Sequence, residues 1–80
     1  MKITLRAFGV AKEICGGSTL ELELPEHATA GQLKQLLVVQ YPRLGGLTSF
    51  LLGVNQEFAE PDTRISPSDE LAIIPPVSGG

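Results

Sequence analysis

Tryptophan is absent from the sequence, tyrosine occurs once and phenylalanine three times, so the aromatic platforms on which proteins stack unpaired bases are missing. Positive charge is also scarce. Six Lys and Arg stand against nine Asp and Glu, a formal net charge of −3, which is the wrong sign for a phosphate-binding footprint. A single cysteine, Cys15, and a single histidine, His27, exclude an internal disulfide and a Cys/His zinc site. No metal is expected, and a reducing, cytoplasmic setting is. No apolar run approaches the ~20 residues that cross a bilayer, and the start, "MKITLRAF", alternates instead of offering the apolar core of a signal peptide. Nucleic acid and membrane are therefore not expected partners.

What is present is enough to fold. Hydrophobic residues make up 42% of 80 residues, too many for a disordered segment, and the length suits one domain. "KITLRAF" places Ile3, Leu5 and Ala7 on one face and Lys2, Thr4, Arg6 and Phe8 on the other, a period of two that predicts a half-buried strand. "GVAKEICGG" predicts a short helical turn ended by Gly16 and Gly17. "STLELEL" alternates again, with Leu20, Leu22 and Leu24 inward and Glu21 and Glu23 in water.

After a loop over 25–28, "TAGQLKQLLVVQY" predicts the main helix. Thr29 is its N-cap, Gln32 completes a capping-box spacing, and Leu33, Leu36 and Leu37 form its apolar stripe. Pro42 should stop it, and Gly45 and Gly46 should lie in the next loop. "FLLGVNQEFAE" predicts two short strands around Asn55-Gln56. "LAII" at 71–74 predicts a last buried strand, placed centrally beside the first and parallel to it. The expected fold class is α+β: a β-grasp (ubiquitin-like) domain over residues 1–74, with a mixed sheet of four to five strands and one main helix packed across it. Residues 75–80 form an extended tail.

The side chains offer no convincing active site. Glu21 and Glu23 lie roughly 6.6 Å apart along a strand, a spacing open to a carboxylate pair but accounted for by a solvated sheet face. Asp69-Glu70 follows "SPS" and reads as turn chemistry. His27 has no acid or nucleophile near it in sequence, and Cys15 has only Lys12 as a nearby cation. The phosphate-loop, dinucleotide and nucleophile-elbow motifs do not occur.

The remaining feature is the ending, "PPVSGG". Pro75 and Pro76 fix φ and donate no hydrogen bond, so the chain leaves the sheet stiffly. Gly79 and Gly80 carry no Cβ, so a partner's narrow channel can close around bare backbone. Six extended residues reach about 20 Å. Such a tail can deliver its terminal carboxyl group into another protein. A free carboxylate is a poor electrophile and needs activation, for instance adenylation. A frayed, inert end is the competing reading of the same residues.

With these residues in view, the chain resembles the small, sulfur-carrying subunit of molybdopterin synthase along its full length. The most specific part is "DELAIIPPVSGG", similar to that family's acidic turn, apolar strand, double proline and Gly-Gly ending. "AKEICG" resembles its first-helix pattern and "VNQ" at 54–56 a short hairpin segment, although the family often carries aromatics at the positions of Ile73 and Ile74. The resemblance implies that the Gly80 carboxylate is adenylated by a ubiquitin-activating-type enzyme using ATP and then becomes a thiocarboxylate through a sulfur donor protein. The chain itself binds no cofactor. The tail would enter the large catalytic subunit, where sulfur passes to cyclic pyranopterin monophosphate. Gly80 is then the carrier site, Gly79 gives access, and Pro75, Pro76, Val77 and Ser78 belong to the threaded segment.

Phe8 matches a position of the family's subunit interface. Beside Ile74 it either forms an apolar docking patch or is an incidental exposed aromatic. Lys12 is a weaker interface candidate and is equally read as a solvated lysine. Two further functions stay open: a carrier for thiazole or transfer-RNA thiolation, and a β-grasp adaptor that uses no terminal chemistry.

Overall fold

The alternation of "KITLRA" is realised as β1 (Lys2–Ala7), with Ile3, Leu5 and Ala7 buried and Lys2, Thr4 and Arg6 exposed. The computed structural model, which describes residues 1–46 and 50–75, continues with α1 (Gly9–Cys15), β2 (Thr19–Glu23), α2 (Ala30–Gln40), α3 (Pro42–Gly45), β3 (Leu51–Val54), β4 (Glu57–Phe58) and β5 (Leu71–Ile74). All five strands join one sheet in the order β2-β1-β5-β3-β4. β1 runs antiparallel to β2, with Ile3 opposite Leu22, and parallel to β5, with Leu5 opposite Leu71 and Ala7 opposite Ile73. β3 is antiparallel to both β5 and β4. This is the expected mixed β-grasp sheet, with the last strand at its centre.

The inward residues of the strands share one buried cluster with Leu33 and Leu37 of α2 and Leu44 of α3, so the helices cover a single face of the sheet. The start of α2 follows its sequence signals. The Thr29 hydroxyl accepts a hydrogen bond from the Gln32 backbone N–H at 3.3 Å, and Gln32 Oε1 accepts one from the Thr29 N–H at 2.8 Å, satisfying donors that a helix start leaves open.

The structure differs from the sequence expectation after α2. Pro42 does follow the end of that helix, but it also opens α3, which contains Gly45. A proline loses nothing at a first helical position, where the N–H has no partner and φ is already near its fixed value. Phe8, expected at the end of the first strand, lies one residue beyond β1 and caps α1 with extended backbone (φ −123°, ψ 154°).

Asn55 and Gln56 form the β3–β4 turn with φ of 54° and 70°. Left-handed backbone at both central positions matches the right-handed twist of a two-residue hairpin, and glycine is the residue that suits the second one. Gln56→Gly is therefore expected to raise stability by about 0.5–1 kcal/mol, read as a rise of several degrees in melting temperature. An unchanged or lower midpoint contradicts the strain assigned to Gln56.

Candidate partner-docking site

The face of the sheet opposite the helices carries the outward residues of each strand. Arg6, Ala72, Gly53 and Phe58 stand opposite one another in a row across β1, β5, β3 and β4. Ile74 faces Leu51 in the next row. Ala72 and Gly53 have almost no side chain, so the middle of the row sinks below its ends. A Cβ added to Gly53 would lie 3.3 Å from Ile74 Cδ1, so bare backbone forms this part of the floor.

The result is an open cleft of about 760 Å³ walled by Phe8, Phe58 and Ile74, with Arg6 on one side and Glu57, Asp69 and Glu70 at one end. Phe8, Leu51 and Phe58 are 49%, 45% and 68% exposed, unusual for large apolar side chains gathered on one surface. Phe8 is thus part of a patch and not an isolated aromatic.

Pro75 fixes where the chain leaves this face. It follows β5 directly and is half-buried. A Cβ on Gly9, whose φ is +55°, would stand 3.4 Å from Pro75 Cγ, so the proline rests on the β1–α1 corner beside Phe8. Phe8, Ile74 and Pro75, selected from the sequence as partner contacts, come together. Lys12 is exposed on α1 and does not line the cleft. Pro76, Val77, Ser78, Gly79 and Gly80 lie outside the described residues.

The other candidates take structural roles. Glu21 lies 3.6 Å from Lys2, with both side chains exposed, a pairing that contributes little in water. His27 is exposed in a turn with φ 66°. Burial raises the pKa of the Cys15 thiol, which lowers the thiolate fraction and its reactivity. No group of three or more His, Cys, Asp or Glu able to hold a metal occurs among the described residues, and none of their helices is long and apolar enough to cross a membrane.

Gly53, Ala72 and Phe58 were missed from the sequence. Small outward residues matter only once strand register sets them side by side, and β4 is too short to show periodicity. The exposed aromatic after the Asn55-Gln56 turn was the one available signal.

A match to the ThiS family extends over residues 5–80, from β1 through the Gly-Gly ending. The chain belongs to the ThiS family. Among its relatives, it is 40% identical over 77 residues to the molybdopterin synthase sulfur carrier subunit of Dictyostelium discoideum, covering 91% of this chain and 90% of that one. It is 35% identical over 81 residues to the subunit of the same name from Arabidopsis thaliana, covering 100% and 84%. The crystal structure of SAMP1 from Haloferax volcanii superposes with a TM-score of 0.83 at 27% identity, covering 100% of both chains. The fold expected from the strand order is thus found in a solved structure, and membership of the ThiS family covers both the cleft and the tail.

Proposed function

We propose that this chain is the sulfur carrier of a molybdopterin synthase, with the carboxyl group of Gly80 as the carrying site. A carboxylate resists nucleophiles because its charge is delocalised and its leaving group is oxide. Attack of the carboxylate oxygen on the α-phosphorus of ATP, in a separate adenylating enzyme, releases pyrophosphate and gives an acyl adenylate. Sulfide-level sulfur delivered by a donor protein then attacks the acyl carbon and displaces AMP, which departs with the bonding electron pair, and loss of the sulfur's proton leaves a thiocarboxylate. In the large catalytic subunit that sulfur bonds to cyclic pyranopterin monophosphate, and water then cleaves the acyl–sulfur bond, which leaves the sulfur on the precursor and returns the Gly80 carboxylate. The carrier supplies sulfur and reach, and the partner supplies the reaction chamber.

The outer-face cleft is the surface on which the large subunit docks. Pro75 leaves the fold beside Phe8 and Ile74, so a partner seated there meets the tail at its root. Val77 and Ser78 then line the threaded segment and Gly79 keeps it narrow. A reducing cytoplasm suits the free Cys15 and the thiocarboxylate alike.

The observation that carries this reading is the 40% identity to a molybdopterin synthase sulfur carrier subunit over nearly the whole of both chains. Its test is the intact mass of the chain after incubation with ATP, the adenylating enzyme and the sulfur donor. Exchange of one oxygen for sulfur at the C-terminal peptide is expected. A mass that stays unchanged, with the enzymes active on a known carrier, overturns the proposal.

A further inference from the structure

Phe58 is the most exposed large apolar side chain of the docking cleft, and its own strand does little to hold it. β4 is two residues long, and the cross-strand neighbour of Phe58 is Gly53, which has no side chain for the ring to pack against. The position of the ring over the cleft is therefore set by the backbone path through the Asn55-Gln56 turn. That turn holds two non-glycine residues at positive φ; asparagine tolerates this backbone, but Gln56 is disfavoured in it by about 1 kcal/mol or more. Something else must keep it in place.

Asn55 does so with bonds to a distant segment. Its Nδ2 donates to Asp69 Oδ1 at 3.0 Å, its Oδ1 accepts from the Glu70 N–H at 3.0 Å, and its backbone N–H donates to the Glu70 carbonyl at 2.8 Å. Asp69 is fixed in turn, because its Oδ2 accepts from the Ser66 N–H at 2.7 Å. Gln56, Glu57 and Phe58 follow Asn55 in the chain, while Asp69 and Glu70 are its hydrogen-bond partners. All five line the cleft and Asn55 does not, and because Val54 pairs with both Glu57 and Leu71 the two segments meet at one end of the sheet. The amide therefore ties together the two segments that form one wall.

We infer that Asn55 is a positioning residue for partner docking: its side-chain latch to Asp69 and Glu70 pre-sets the wall that carries Phe58, and so raises affinity for the large subunit without touching it. The inference rests on the docking reading above. Loss of the latch lets the wall sample other positions, and apparent affinity falls in proportion to the competent fraction. A wall set correctly one time in ten weakens binding about tenfold.

Three variants of the full chain test this. Asn55→Gly keeps the positive φ and the backbone N–H but removes the amide. Asn55→Asp sets two carboxylates against each other. Asn55→Asp combined with Asp69→Asn reverses the donor and acceptor and restores every bond, since the new amide can donate to position 55 while its oxygen still accepts from the Ser66 N–H. Binding to the large catalytic subunit is measured by calorimetry, alongside the melting temperature and exchange of the Glu70 and Phe58 amides.

Asn55→Gly and Asn55→Asp should each weaken binding about tenfold or more at a temperature where both remain fully folded, and the reversed pair should recover most of the loss. Gln40→Ala, an exposed change at the end of α2 on the helix side of the sheet and outside the cleft, should bind as the wild type does. Faster Glu70 exchange with affinity within about twofold of wild type overturns the inference. Failure of the wild-type chain itself to bind overturns the docking reading instead.

Discussion

A chain lacking Gly80 is expected to fold as the intact chain does and to transfer no sulfur. β5 ends at Ile74, and the central parallel pairing uses residues no later than Ile73, so the deletion removes nothing from the sheet. It does withdraw the carboxyl carbon by one residue, about 3.3–3.6 Å of extended chain. Misplacement by about 1 Å already costs on the order of a hundredfold in rate where reacting atoms must meet at near-contact distance. One extra residue after Gly80 fails for the complementary reason, because the acyl group overshoots and a Cβ enters the channel unless the addition is glycine. The measurement is sulfur transfer to the precursor in a single turnover with the large subunit, alongside the melting temperature. Normal transfer by the shortened chain would overturn the assignment of the Gly80 carboxyl group as the carrying site.

The second large effect concerns the fold. Ile73→Ala is expected to lower stability by about 2–5 kcal/mol, comparable to the total of on the order of 5 kcal/mol that a domain of this size holds. Ile73 is fully buried on the central strand and stands between Ala7 on β1 and Leu52 on β3. With strands bonded on both sides, the backbone cannot move in to fill the space, so the cavity remains. Urea titration at 25 °C should show a substantial unfolded fraction before denaturant is added. Leu51→Ala, on the opposite face of the adjacent strand, should leave the midpoint within about 0.5 kcal/mol of the original. If the two variants melt alike, the division between core face and docking face is wrong.

Much of this architecture was legible because it is written in local periodicity. The alternation over Lys2–Ala7 and Thr19–Glu23 gave two strands with their buried sides correct. The Thr29–Gln32 capping box marked the start of α2 to the residue. α3 escaped notice because four residues cannot display a helical period, and Pro42, a reliable stop signal, is equally a reliable start. The apolar last strand pointed to the sheet centre because a strand covered on both edges and one face has few polar positions to show.

The candidate site was legible only in part, for a different reason. Phe8 stood out as an aromatic on an outward face, with Ile74 named beside it. The hollow between them depends on Gly53 and Ala72 becoming neighbours through register, which composition does not reveal. Asn55 and Asp69 are fourteen positions apart, and each reads alone as an ordinary turn residue. Such pairings belong to the tertiary structure, and a single sequence carries no mark of them.

The parallel pairing of β1 with β5 also determines how the molecule answers force. A partner that grips the chain beyond Pro75 pulls β5 along its own axis, and the β1–β5 hydrogen bonds then lie across the direction of pull. They are loaded together and must break together, whereas bonds at the end of a hairpin open one after another. An enzyme hauling on this tail would encounter a mechanical clamp, and the domain would resist being dragged through a narrow pore better than its modest thermal stability suggests.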